Sequence, residues 1–257
     1  DRLEPEFSDI PGQWGSIWIA KGSSGNTINH MTLRNASIGI LVEGDDLLNS
    51  PTIYIKDSQI YNSTNYNLFA EGAYINAENV VLGSAGISSL HCQLGGNYSF
   101  THNTIANYWN KGFRNTPAVV ISNFDLLNTD NVGDLTRVDF KNSIIDGSND
   151  FELSLLPNNQ NAFDYNLMNC FLKFSTRDVQ FTDPLYDFES SDKYNNLILN
   201  GQPDYFNPNT DDFRIGLDSD AVDAGDINIA STLPLDILGN ERTTRSDLGA
   251  YQANSRD

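Results

Sequence analysis

Val138-Asp139-Phe140-Lys141-Asn142-Ser143-Ile144-Ile145-Asp146-Gly147 reads as two short strands meeting at a corner. Val138 and Phe140 project to one side and Asp139 and Lys141 to the other, the period-two alternation of a half-buried strand. Asn142 makes the corner, Ile145 points inward again, and Gly147 ends the run. Three upstream segments repeat this order of inward, inward, corner, inward and end positions. They are Ile53, Ile55, Asp57, Ile60 and Asn62; Ile75, Ala77, Asn79, Leu82 and Ser84; and Tyr98, Phe100, His102, Ile105 and Asn107. Asn26, Ile28, His30, Leu33 and Asn35 form a weaker first copy. The aliphatic after each corner (Leu33, Ile60, Leu82, Ile105, Ile145) recurs after 27, 22, 23 and 40 residues. The shorter intervals are those of a stacked repeat, and the longest reads as one coil carrying an insertion.

A further apolar strand precedes each copy, at 17–20, 38–42, 66–70, 87–92, 118–122 and 151–155. Three short strands per coil predict an all-β chain, a right-handed parallel β-helix. The coils occupy residues 1–182, with the insertion at about 108–135. Residues 183–257 form an irregular C-terminal closing segment packed on the same domain. Burying one Ile or Leu contributes roughly 1.5–3 kcal/mol. One coil cannot enclose a core by itself, so the stack is stable only as a whole. The corner column holds His30, Asp57, Asn79, His102 and Asn142, and the end column Asn35, Asn62, Ser84, Asn107 and Gly147. Short polar side chains tolerate a left-handed corner and bond nearby backbone. His30 and His102 therefore read as corner residues rather than catalytic ones. His91 beside Cys92 offers at most a two-ligand metal site.

The chain has 15 Lys and Arg against 34 Asp and Glu, a formal charge of −19. Such a surface repels nucleic acid and anionic lipid. Cys92 and Cys170 lie in apolar strand patterns and read as buried thiols, with a single disulfide as the alternative. No run is apolar and long enough to span a bilayer. The sequence opens without a signal peptide. The strand near Trp14 has no earlier coil to pair with, so an upstream segment or another protein chain is expected to cover that end.

The insertion carries Tyr108, Trp109, Phe113 and Arg114. Long excursions from a regular scaffold often hold function, and Tyr108, Trp109 and Phe113 are the candidate anchors for a glycan or a partner. The alternative is a flap packed onto the helix. A β-helix also needs its last open row of backbone groups covered, and the tail is the segment expected to do so.

That tail supports a resemblance. Ser219, Ala221, Asp223, Ala224, Gly225 and Asp226 match "S-x-A-x-D-A-G-D". Asp236, Gly239 and Arg242 match "D-x-x-G-x-x-R", and Asp247, Gly249, Ala250 and Tyr251 match "D-x-G-A-Y". These resemble the closing motif of exported bacterial right-handed β-helix proteins. Residues 11–17 (PGQWGSI) and Gly25-Asn26 resemble the first coil of surface lipoproteins of Bacteroidota of the choice-of-anchor Q type. The resemblance implies export, a place at the outer membrane or cell surface, and lipid anchoring through a segment not contained in this sequence. It assigns no activity.

Asp236, Arg242 and Asp247, with Asp223 and Tyr251, are expected to hold the last turn as a buried charge network. Asp211, Asp212, Asp218, Asp220, Asp223 and Asp226 supply carboxylates for a calcium site but follow no ligand-loop spacing; no cofactor is otherwise expected. Hydrolases of the polygalacturonase type combine Asn-Thr-Asp, Asp-Asp, Gly-His-Gly and Arg-Ile-Lys. This chain has Asn128-Thr129-Asp130, Asp45-Asp46 and Asp211-Asp212, but neither of the last two motifs. Lys56 and Lys141 share an outward column with Glu78 and Thr101, a mixed surface rather than an acid-sugar groove. The expectation is a non-catalytic envelope protein for glycan binding, adhesion or a subunit role in an outer-membrane complex. The alternative is a lyase or glycoside hydrolase acting on acidic glycans.

Overall fold

The computed structural model describes residues 7–44, 50–175 and 183–256. Asp45 and Asp46 lie outside the described residues. Six strands stack in one all-parallel sheet: β1 (Ile17–Ile19), β4 (Ile38–Glu43), β7 (Tyr66–Glu71), β10 (Ser88–Gln93), β13 (Val119–Ser122) and β16 (Leu153–Leu156). A second ladder holds the strands before the corner, β2 (Asn26–Asn29), β5 (Ile53–Lys56), β8 (Tyr74–Glu78), β11 (Gly96–Thr101) and β14 (Leu135–Lys141). A third holds those after it, β3 (Thr32–Arg34), β6 (Gln59–Tyr61), β9 (Val81–Leu82), β12 (Thr104–Asn107) and β15 (Ile144–Gly147). Both ladders end on β17 (Asn166–Leu172), and β18 (Tyr194–Leu199) adds another parallel rung. The chain is a parallel β-helix.

The register is the one the repeat implies. Leu33 pairs with Ile60, Ile60 with Leu82, Leu82 with Ile105 and Ile105 with Ile145. Ile60, Leu82, Ile105 and Ile145 are at most 1% exposed, and so are Ile55, Ala77, Phe100 and Phe140 before the corner. Phe100 and Phe140 stack with ring centroids 5.0 Å apart. All five corner residues have positive φ, and Asn169 and Asn196 extend the column, with φ between 47° and 52° throughout. Non-glycine residues adopt this region rarely, and Asn, Asp and His do so most readily. Amides also join the rungs: Asn79 Nδ2 donates to Asp57 Oδ1 at 2.8 Å, and Asn142 Nδ2 lies 3.0 Å from His102 Nε2.

The long interval between Ile105 and Ile145 is an ordinary coil with β13 in place and two lengthened connections, at 108–118 and 123–134. The sequence reading lets the repeat fade after Phe174 and sends the tail over the last row. The structure divides that work. Leu185, Tyr186 and Phe188 pack against the last coils, and the Tyr186 hydroxyl accepts the Leu155 amide of β16 at 2.8 Å. The rest of the tail turns back along the flank. Val81, Ala106, Ile144 and Phe171, the outward residues after the corner, form a second core with Tyr205, Phe213, Ile215, Ala221, Leu248, Ala250 and Tyr251. The outward residues before the corner, such as Asn76, Ser99 and Asp139, are polar and stay uncovered. The tail lies where apolar surface needed burial.

Candidate functional site

Three segments converge beside the end column of the first coils. Asn35 and Asn62 close their coils with φ of 65° and 57°. Asn62 Nδ2 donates to Asn35 Oδ1 at 2.7 Å and to the Asp9 carbonyl at 3.1 Å, and Asn35 Nδ2 donates to the Ser8 carbonyl at 2.7 Å. The tail contributes the hairpin of β19 (Tyr205–Asn207) and β20 (Asp212–Ile215), joined through the 3-10 turn Pro208–Thr210 and Asp211. Asp211, at φ 58°, accepts the Ser84 amide at 2.9 Å. The first lengthened connection adds Trp109, whose amide donates to Asn107 Oδ1 at 3.2 Å, and Asn110, whose side chain donates to the Asn209 carbonyl at 3.4 Å. Gly86 is set by the neighbouring coil, since a Cβ there would run into the Thr64 carbonyl oxygen, and the indole passes beside that Cβ position at 3.3 Å.

These segments enclose a cleft of about 190 Å³ lined by Tyr61 and Trp109, by Arg34 and Lys111, by Asn35 and Asn62, and by Asp9 and Asp211. A second depression of about 350 Å³ shares Tyr61, Thr210 and Asp211 with it and continues to Arg214 and Tyr251. Burial pushes the Asp211 carboxyl up, the Ser84 bonds and Lys111 pull it back, and the Asp9 charge adds to the rise. Aromatic faces beside amides, carboxylates and cations suit a polyhydroxylated ligand, which offers both C–H faces and hydroxyls.

Of the three candidate anchors, Trp109 alone lines this cleft. Tyr108 belongs to the second core: its ring meets Tyr205 and Phe213 at centroid distances of 5.9 and 6.1 Å, and its hydroxyl donates to Asp146 Oδ2 at 2.6 Å. Phe113 is 90% exposed and touches neither depression. Tyr61, Arg34 and Lys111 were not singled out from the sequence, and Asp211 was named only as a calcium or hydrolase carboxylate. Tyr61 carried a signal, because it is an outward aromatic one residue before the polar end column.

The closing-motif residues fasten the tail, by bonds other than those expected. Asp236 accepts the amides of Leu238, Asn240 and Gln252, each at 2.8 Å. Asp247 accepts those of Asp223 and Ala253 at 2.9 and 2.7 Å. Arg242 is fully buried, yet among the described residues it makes no ion pair; it donates to the Gly249 carbonyl at 2.9 Å and reaches Asn79 Oδ1 at 3.4 Å. The arginine that meets Asp247 is Arg245, at 3.0 Å. Burial lowers Arg242 to about 10, with Asp236, Asp247 and Asp57 opposing the fall, so it remains a cation at neutral pH. Tyr251 donates to Gln59 Oε1 at 3.2 Å.

The calcium carboxylates disperse. Asp212 pairs with Arg214 at 2.6 Å, Asp220 accepts the Gln202 amide at 2.6 Å, Asp226 caps the short helix Ile227–Thr232, and Asp223 faces Arg245 at 3.9 Å. Asp218 is exposed. No group of three His, Cys, Asp or Glu among the described residues is placed to hold a metal ion. His91 and Cys92 point to opposite faces of β10: Cys92 is in the core, while His91 packs on the Tyr66 and Phe69 rings. Both cysteines are free and buried. Lys56 and Lys141 do share a column with Glu78 and Thr101, and they pair with Glu78 and Asp139 at 3.4 and 3.2 Å. Asn128-Thr129-Asp130 lies in an exposed turn. No helix among the described residues is long and apolar enough to cross a membrane.

No family model matches this chain, and no curated protein matches it.

Proposed function

We propose that this protein is a non-catalytic β-helix of the cell envelope that binds glycan in the Tyr61–Trp109 cleft. The observation carrying the reading is the convergence of two aromatic side chains with amide, carboxylate and cationic groups in one groove built from segments far apart in sequence. Base-free stacking of a sugar ring on an aromatic face, with hydroxyls bonded at the edge, needs that combination. The envelope placement rests on the resemblance of residues 219–226, 236–242 and 247–251 to the closing motif of exported β-helix proteins, and the anchored lipoprotein of the choice-of-anchor Q type on that of residues 11–17 and Gly25-Asn26 to the first coil of such lipoproteins.

A second reading, glycan cleavage, is favoured by one feature: Asp9 and Asp211 line the same cleft, and Asp211 is the carboxyl whose proton affinity burial raises. A carboxyl whose proton affinity burial raises can serve as the acid in glycosidases, with a second carboxylate in the same groove. One experiment separates the two. Oligosaccharides of graded charge and length are titrated by calorimetry, and reducing ends and unsaturated products are measured in the same samples. Binding without products, lost at least tenfold in Trp109→Ala, supports the binder. Products that vanish in Asp211→Asn support the enzyme, and no binding by any oligosaccharide rejects both.

A further inference from the structure

The tail covers the outward side of the coils only in part. After the corner, the outward residues Val81 on β9, Ile144 on β15 and Phe171 on β17 pack with the tail in the second core. One rung nearer the start these positions change character. Gln59 pairs with Val81, and the exposed Thr32 pairs with Gln59. The other outward positions on these two strands are Arg34 and Tyr61, which pair with each other. The edge of the tail (Asp211, Asp212, Arg214, Leu238 and Tyr251) stands as a wall beside Gln59 and Tyr61. Gly83 follows Leu82 as Tyr61 follows Ile60, and it lets that wall come close. A Cβ there would lie 2.8 Å from the Tyr61 Cβ, 3.0 Å from the Phe213 ring and 3.1 Å from Asp211 Oδ1.

The floor continues past both residues. Beyond Tyr61 it merges with the cleft through Thr210 and Asp211 and reaches Trp109 beside the end column. Beyond Gln59 it meets, at Leu238, a third depression of about 440 Å³ beside the corner residues His30 and Asp57. Leu238 is 54% exposed. The step from Gln59 to Tyr61 alone covers roughly 6.6 Å, two residues at about 3.3 Å each, which is longer than one sugar ring. The charges along the cleft and the second depression are matched among the described residues, with Arg34, Lys111 and Arg214 against Asp9, Asp211 and Asp212. Arg214 is engaged by Asp212, to which Nε and Nη2 donate at 2.8 and 2.6 Å, and the Lys111 charge acts on Asp211 against the effect of its burial. A sugar carboxylate would enter beside these aspartates, on a chain of charge −19.

From this we infer that the cleft and the depressions form one groove along β6, and that its ligand is a linear oligosaccharide of roughly three or more uncharged sugar units. The inference rests on the glycan reading of the Tyr61–Trp109 cleft and adds length and charge to it. Sugar faces stack on Trp109 and Tyr61 and lie against Leu238, and hydroxyls bond the carboxylates and amides between them.

The test titrates the intact protein by calorimetry with neutral 1,4-linked and 1,3-linked hexose oligomers, dimer to hexamer, and with 1,4-linked uronic acid oligomers of the same lengths. In a neutral series affinity is expected to rise about tenfold from dimer to tetramer, and the uronic acid tetramer is expected to bind about tenfold more weakly than the neutral one. Tyr61→Ala, with unchanged far-ultraviolet circular dichroism, should weaken every length about tenfold. Leu238→Asn, at an exposed position, should remove most of the gain with length. Uronic acid oligomers that bind as tightly as the neutral ones would overturn the inference and leave the glycan reading standing. So would a dimer that binds as tightly as the hexamer, or a gain with length that Leu238→Asn leaves intact. Absence of binding by every oligomer would overturn both.

Discussion

Glu152→Ala removes the fastening of the first lengthened connection, and its cost follows from four bonds. The Glu152 and Arg114 side chains are 0% and 2% exposed. Arg114 Nη1 donates to Oε2 at 2.8 Å and Nη2 to Oε1 at 2.7 Å, while the amides of Ala118 and Asn149 donate to the same carboxylate at 2.7 and 2.8 Å. Arg114 also donates to the carbonyls of Asn107 and Thr116 at 2.7 and 2.6 Å, which ties 108–116 back to β12. Deleting the carboxylate leaves a guanidinium buried without a counter-charge, a loss of about 3–5 kcal/mol. The two stranded amides are already part of that figure to the extent that water enters the space, so about 4 kcal/mol is the working value. For a chain of this size 1 kcal/mol moves Tm by roughly 2–4 °C, so Glu152→Ala should melt about 10 °C lower by calorimetry. The paired variant Arg114→Met/Glu152→Leu, which removes both charges, should recover more than half of that loss. A drop below about 2 °C for the single variant, or equal losses for single and paired variants, would refute the account of a buried pair that is costly to break and cheap to replace.

Three further outcomes are expected. His91 is 4% exposed, and burial lowers it to about 4, below its ordinary value near 6.5. The unfolded chain therefore takes the proton first, and the stability this residue contributes, full above 6.5, declines as pH falls toward 4, by about 3 kcal/mol at most. His91→Phe should flatten denaturation midpoints between pH 6.5 and 4.5 relative to the parent. Asn142→Ala loses the reciprocal pair with the Asp226 backbone (2.9 Å each way) and places alanine at φ 47°, and urea titration should show a loss of about 2–4 kcal/mol. Asn142→Gly, which keeps the backbone conformation at no strain, should lose about 1 kcal/mol less. Burial pushes the Cys170 thiol up to about 12, so neither it nor Cys92 should react with a thiol reagent at pH 8 until the protein unfolds.

The coils were legible because side-chain alternation and the corner residue recur together. A single misplaced residue would have turned a whole strand inside out, so agreement at Ile55, Ala77, Phe100 and Phe140 fixed the register at once. The corner at Asn169 was hidden for a physical reason. After Asn169, Cys170 faces the core and Phe171 the second core under the tail, so this strand is covered on both sides there and alternation disappears. The cleft was less legible still. Arg34, Tyr61, Trp109 and Asp211 lie on four segments, and only the return of the tail along the flank brings Asp211 to Ser84. No local pattern encodes that return.

The direction of that return is written in the corner column. A corner residue needs only a tolerance for positive φ, which His, Asp and Asn share. Where the tail crosses the column, an amide does more, because it donates and accepts at once. Asn142 spends both functions on Asp226, and Asn79 donates to the Leu235 carbonyl while its oxygen faces Arg242. His30 and Asp57 face tail residues 233–239 across an open depression and, among the described residues, make no such pair with the tail backbone; their ring and carboxylate stand 3.9 Å apart. The column thus serves as hinge within each coil and as a rail for the tail, and the second role discriminates among residues that the first accepts alike. Asn79→Asp makes the distinction testable. The left-handed backbone is retained and a carboxylate is brought to Arg242, while the donor to Leu235 is lost. If the rail matters, Leu235 and its neighbours should exchange their amide hydrogens faster than in the parent while the β8 and β11 amides keep their protection. Uniform exchange across coil and tail would mean that the corner supplies conformation and nothing more.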